Sequence, residues 1–335
     1  MNWFKTLMGF NEESPQQVRQ NISLKGEYLY SKINGKSVKC GHFSTPTLQE
    51  LQHQVQNIEQ PKGRLNIFEI VDDIQNIHAD ESNANAMFQV ASQFNFLEMV
   101  GPHVTPERGV GIYERDFTQG PACAIACGGG TIFRNYFVNN NGETGQTRNN
   151  QLNGLLHIDK ALNNSEKILW KMSNGYALCN LDGLLSLNKT IANLSDEERK
   201  QLKSKLMVGL QEQAEVTISD SKHEVSQVFC SALPVSYSNI ESIYWEYFAR
   251  LILEATYEAT FCSAILNHRK TGNKTLFLTL VGGGAFGNRE EWILDAIHLC
   301  LIKYKDYPLN VKIVSYSQSN PNVKSLIKTF QKWKP

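Results

Sequence analysis

Residues 276–288, LFLTLVGGGAFGN, constrain this chain more than any other stretch. A short apolar run ends in a loop holding Gly282, Gly283, Gly284 and Gly287, and residues 289–297 (REEWILDAI) resume with helical spacing. Strand, glycine loop and helix in that order build a phosphate cradle. Glycine permits φ > 0 and lets a ligand reach the bare main chain, and the helix start adds free N–H groups and partial positive charge. One glycine suffices for a tight turn, so three in a row plus Gly287 favour anion binding. No Lys-Ser/Thr follows, which excludes a nucleoside-triphosphate loop. The dinucleotide fingerprint, GxGxxG with an acidic residue after a second strand, is absent too.

The rest of the chain supplies strands and helices around this loop. Residues 65–71, 87–91, 225–233, 276–281 and 311–316 read as strands, with 109–113 a weaker extended segment. Helices are expected within 119–138, over 240–267 on a 3.6-residue period, from Glu290, and over 323–333. Residues 138–146 read as an exposed polar loop. Residues 151–212 read as mostly helical, interrupted at 174–178, with a capping box at Ser195–Glu198 opening a helix to about Leu210. Alternating strands and helices predict an α/β sandwich on a mostly parallel sheet. Residues 1–60, polar and Gln/Asn-rich, read as an N-terminal extension packed on one domain spanning 61–335, with a helical insertion at about 151–225.

Charge and cysteine usage narrow the function classes. Basic and acidic residues number 33 each, so nothing in the net charge favours nucleic acid or an anionic membrane. No apolar run approaches the roughly 20 residues of a membrane span, and residues 1–10 lack the features of a secretory signal. Seven cysteines without a CxxC read as reduced thiols in a cytosol-like compartment. Cys123 and Cys127 share a helix face, but a metal site needs two further ligands that the sequence does not offer. No metal and no cofactor are expected.

Two further motifs accompany the loop. In residues 116–131, DFTQGPACAIACGGGT, Pro121 suits the first turn of a helix. Gly120 can admit a ligand, and the small residues after it allow close packing. Gly128–Gly130 either end this helix or form a second cradle; the sequence leaves both open. Residues 88–95, FQVASQFN, leave a strand and turn polar where parallel sheets place their sites.

On these residues the chain resembles a macrodomain, and within that fold the poly(ADP-ribose) glycohydrolase branch. The GGGAFGN segment resembles the second phosphate loop, with Phe286 typical of that branch; Val71–Ile74 (VDDI) resembles the segment whose Asp binds the adenine amino group. The resemblance covers roughly residues 65–330, with 151–225 less well matched. It implies a three-layer α/β/α sandwich with a mixed, mostly parallel sheet. It also implies an ADP-ribose site at Asp73, Ile74, Gln93, Asn95, Gln119, Gly120, Pro121, Gly282, Gly283, Gly284, Ala285, Phe286, Gly287, Asn288 and Tyr316. Asp73 would meet the adenine, Asn95 the distal ribose, and Tyr316 would lie near the adenine. The chain departs from the branch in lacking a catalytic Gln-Glu-Glu. It therefore looks more like the MavL-like ADP-ribosylhydrolases, which act on mono-ADP-ribosylated protein and carry their carboxylates in the first loop. That implies ADP-ribose or an ADP-ribosylated protein as partner, with arginine linkage and ubiquitin as candidates, and either a cytoplasmic place or delivery into a host cytosol.

Cleaving ADP-ribose from a side chain breaks a glycosidic bond through an oxocarbenium-like transition state, which calls for a carboxylate. The carboxylates near the first loop are Glu98, Glu107, Glu114 and Asp116. Asp116, three residues before Gln119, is the first choice, with Glu107 and Glu114 after it. A binding module without turnover remains the alternative, since the Gln-Glu-Glu is missing.

Overall fold

The computed structural model describes residues 2–59 and 62–332. Seven strands form the central sheet: β1 (His42–Ser44), β2 (Asn66–Val71), β3 (Met87–Ala91), β4 (Gly209–Glu215), β5 (Glu224–Cys230), β6 (Thr275–Leu278) and β7 (Asn310–Ser315). Their order is β1-β4-β5-β3-β6-β7-β2. The five from β5 to β2 run parallel, and β1 and β4 add an antiparallel edge.

Side chains alternate across the sheet, and each face buries its own core. On one face Phe88, Val90, Val225, Phe229 and Phe277 pack with Ile74, Ile77 and Cys123. On the other, Val228, Leu276, Leu278, Val311 and Ile313 meet the long helix Glu246–Thr271 and the helices Glu290–Lys303 and Pro321–Lys332. Helices on both faces make this a three-layer α/β/α sandwich. The long helix is apolar nearly all round because further helices, Leu48–Gln56 and Leu181–Ala192, cover its outer side. A third cluster joins the N-terminal arm (Phe4, Met8, Val18, Leu29, Val38) to Leu97, Tyr113, Ile132 and Tyr136. Each such fully buried side chain contributes about 1.5–3 kcal/mol.

Several local expectations change. Residues 109–113 are not extended: Gly111–Arg115 is a 3-10 turn, because Glu12 accepts the N–H groups of Val110 and Gly111. Residues 119–138 hold two helices, Gln119–Ala126 and Gly128–Tyr136. Gly128, Gly129 and Gly130 open the second. A Cβ there would press on Trp3, Val38 and Gln211 respectively, so these glycines serve helix packing and form no cradle. The Ser195 capping box is present, but its helix ends at Lys203 and β4 follows. The buried polar Gln211 conceals that strand in the sequence: its amide donates to the Cys40 carbonyl and its oxygen accepts from Arg134. Residues 138–146 include a small hairpin, Asn139–Asn140 with Glu143–Thr144, and end on buried Gln146. Trp333, expected to end the last helix, lies outside the described residues.

Candidate functional site

The parallel strands open a cleft at their carboxyl ends. Strand β6 pairs with β3 only through Met87 and Phe88, then the two splay. Side-chain amides take over the freed backbone. Gln119 donates to the Gln89 carbonyl (2.8 Å) and accepts from the Ala91 N–H (2.9 Å), while the Gln89 side chain accepts from the Thr279 N–H (3.2 Å). The space so created has a volume of about 810 Å³, inside the roughly 300–1,000 Å³ range of small-molecule sites.

The glycine loop forms one wall. Gly282 and Gly287 have φ of +79° and +69°, a region open to glycine and strained for other residues. A Cβ on Gly287 would land on the Ser236 hydroxyl, whereas Gly284 faces open space. Asn288 is the latch: its N–H donates to the Gly282 carbonyl (2.9 Å) and its amide to the Leu233 carbonyl (2.8 Å). Among the described residues the N–H groups of Gly284, Ala285 and Phe286 have no intramolecular acceptor. The helices Gln119–Ala126, Glu290–Lys303 and Pro321–Lys332 all start at the cleft, and their amino ends favour negative charge. Among the described residues no Lys, Arg or His lines the space. An anion there would be held by main-chain N–H groups.

The expected site residues divide. Asp73, Ile74, Gln93, Gln119, Gly120, Pro121, Gly282, Gly284, Ala285, Phe286 and Tyr316 line the cleft, as does Asp116. Asp73 also caps the helix Ile74–Ala79 by accepting the Gln75 N–H, and Phe286 clusters with Tyr176 and Tyr237, both cleft residues. Gly283, Gly287, Asn288 and Asn95 do not line it. The Asn95 side chain is wholly buried, accepting from the Leu97 N–H and donating to Gln151. Gly120 allows its helix to touch the end of β3, since a Cβ would collide with the Ala91 carbonyl. Glu107 and Glu114 line a separate polar hollow with Glu12 and Arg108. There Glu107 accepts the Arg148 N–H, which helps hold its carboxyl below the ordinary range against the opposing effect of burial.

The structure brings forward a carboxylate that the sequence left in the background. Glu98 lines the cleft and is 2% exposed, and neither side-chain oxygen has a hydrogen-bond partner. Its nearest opposite charge is the wholly buried Arg134, Nη2 to Oε2 3.9 Å. Arg134 is held elsewhere: it donates to the Phe96 carbonyl and to Thr131, and its guanidinium lies 3.5 Å from the Phe229 ring centre. Burial pushes the Glu98 carboxyl up to about 8, against the pull of Arg134 and of Tyr113. A buried acid at a cleft wall, its proton affinity raised and only loosely paired, is equipped to give up a proton. The signal available in the sequence was a lone Glu in the apolar run FNFLEMV after β3. Asp116 stands on the same cleft, its Oδ1 accepting both the N–H (2.9 Å) and the O–H (2.6 Å) of Thr118. No group of three or more His, Cys, Asp or Glu that could hold a metal occurs among the described residues.

No family model matches this sequence, and no curated protein matches it. Among solved structures the chain is similar to poly(ADP-ribose) glycohydrolase from Thermomonospora curvata, with 10% identity, 95% of each chain covered and a TM-score of 0.45. It is also similar to poly(ADP-ribose) glycohydrolase from Deinococcus radiodurans in complex with ADP-ribose, with 9% identity, 87% of this chain and 92% of that one covered and a TM-score of 0.44.

Proposed function

We propose that the cleft binds ADP-ribose and that the chain hydrolyses the glycosidic bond joining ADP-ribose to a protein side chain. One observation carries the catalytic part: a wholly buried carboxyl, Glu98, without hydrogen bonds and displaced upward to about 8, on the wall of a cleft edged by a glycine loop with free N–H groups. Two carboxyl groups in unlike settings divide the acid and base work of glycosidic cleavage. Glu98 delivers its proton to the leaving side-chain atom as the bond to the anomeric carbon breaks. Water adds to that carbon, and its proton passes to Asp116. The loop from Gly282 to Phe286 holds the diphosphate, contributing through positioning.

The leaving group we favour is a guanidinium. Asp72, Asp73, Asp116 and Glu290 line the cleft with no basic side chain among the described residues, so a cationic guanidinium linkage is drawn in, whereas a neutral ester linkage gains nothing from these charges. Arginine linkage, with modified ubiquitin as one acceptor to try, also fits the MavL-like resemblance. The test incubates the protein with mono-ADP-ribosylated proteins of arginine, glutamate and serine linkage and measures released ADP-ribose. Release from the arginine-linked protein is expected, and Asp116→Ala should slow it. No release from any linkage, alongside tight ADP-ribose binding by calorimetry, would instead make the chain a binding module. The missing Gln-Glu-Glu is the feature that favours this second reading.

A further inference from the structure

We infer that Glu12, in the N-terminal arm, is a positioning residue for the reaction, its carboxylate fixing the turn that holds Tyr113 against the backbone of Glu98. The inference rests on the reading of Glu98 as the acid. Three contacts make the link. Glu12 Oε1 accepts the N–H of Val110 (2.9 Å) and the O–H of Tyr136 (2.5 Å), and Oε2 accepts the N–H of Gly111 (2.6 Å). Those two amides open the turn Gly111–Arg115, where a helical start leaves donors without internal acceptors. The turn carries Tyr113, 1% exposed, whose hydroxyl oxygen accepts the Glu98 N–H at 3.0 Å.

Two features distinguish this chain of contacts from ordinary packing. Neither Glu98 carboxyl oxygen has a hydrogen-bond partner of ordinary geometry, and the groups that act on it are Tyr113 and Arg134, so its placement at the cleft wall depends on where its backbone and that turn are held. The arm converges on that backbone: Phe4, Met8 and Val18 share a core with Leu97 and Met99, the residues on either side of Glu98. The fit is also close at the other end, since a Cβ on Gly109 or Gly111 would strike the Glu12 carboxylate. Replacing one carboxylate oxygen by an amide removes an acceptor from a donor that has no other, which loosens the turn and with it the placement of the acid.

The experiment compares the full chain with Glu12→Gln, Tyr113→Phe and the double variant, by steady-state hydrolysis of the arginine-linked ADP-ribosyl protein and by ADP-ribose calorimetry. Each single variant should lose at least about ten-fold in kcat, with KM and the ADP-ribose Kd within about two-fold of wild type. The double variant should lose little more than the worse single, because both act through one chain of contacts. Unchanged kcat in either single variant, a Kd that weakens in step with kcat, or full additivity would overturn the inference. Should Glu12→Gln fail to melt cooperatively, Glu12→Asp and Tyr113→Phe carry the same comparison. An inactive wild type removes the hydrolase reading and this inference with it. An active wild type with unaltered variants removes this inference alone.

Discussion

Glu98 and Arg134, both buried, lie 3.9 Å apart, yet neither carboxyl oxygen has a hydrogen-bond partner of ordinary geometry while the guanidinium bonds to Phe96 and Thr131. The arginine tempers the rise in the Glu98 proton affinity without forming a close ion pair. That balance leaves an acid that can both hold and release a proton near neutrality.

Glu98→Gln should therefore separate binding from turnover. A glutamine keeps the shape and cannot donate a carboxyl proton, so kcat should fall by about 10²–10⁴ while ADP-ribose affinity changes little. Single-turnover release of ADP-ribose beside calorimetry checks this. For wild type, kcat should decline as pH rises through about 8, where Glu98 loses its proton.

The same residue links stability to pH. Its ordinary value is 4.5, and burial carries the native value to about 8. Between the two, the native state holds a proton that the unfolded chain has released, so unfolding free energy falls as pH rises across that window and levels off above it. Glu98→Gln lacks this dependence. Wild type and variant should melt alike near pH 4, and the variant should be the more stable at pH 8, by a margin on the order of a few kcal/mol. Thermal melts at stepped pH give the difference. A gap that does not change with pH would refute it.

The loop glycines should not be equivalent. Gly287→Ala places a Cβ at positive φ and on the Ser236 hydroxyl, costing about 1–3 kcal/mol. Gly284→Ala meets open space and should leave the melting temperature within a degree or two, yet weaken ADP-ribose binding by covering a free N–H. Melting curves paired with calorimetry distinguish the two effects.

Gly120→Ala tests the packing role of that cleft glycine. Its Cβ would collide with the Ala91 carbonyl at the end of β3, forcing the helix Gln119–Ala126 off the strand. A loss of about 1–3 kcal/mol is expected from such overpacking, seen as a lower urea midpoint. Loss of ADP-ribose affinity at unchanged stability would restore a direct ligand role.

The sequence by itself determined the elements governed by local rules. Strand β3 sets Phe88 and Val90 on either side of Gln89, the Ser195 capping box satisfies its own helix start, and the glycine loop sits between strand and helix as its composition required. The macrodomain resemblance named Asp73, Gln119, Phe286 and Tyr316 and the spacing before Gln119 named Asp116, and all five line the cleft at the carboxyl ends of the parallel strands. Tertiary structure alone decided the roles that depend on distant partners. Strand β4 was hidden because Gln211 is buried by bonds to Cys40 and Arg134, far away in the chain. Asn95 and Asn288, written like ligand residues, spend their amides within the fold, Asn95 on the Leu97 N–H and the Gln151 side chain and Asn288 on the Leu233 carbonyl. Glu107 and Glu114 went to another hollow, while Glu98, one charge in an apolar run, lies buried at the cleft wall. Periodicity and turn chemistry report a residue's neighbours along the chain. A proton affinity depends on what surrounds the group in space, and only the fold supplies Arg134, Tyr113 and the exclusion of water around Glu98.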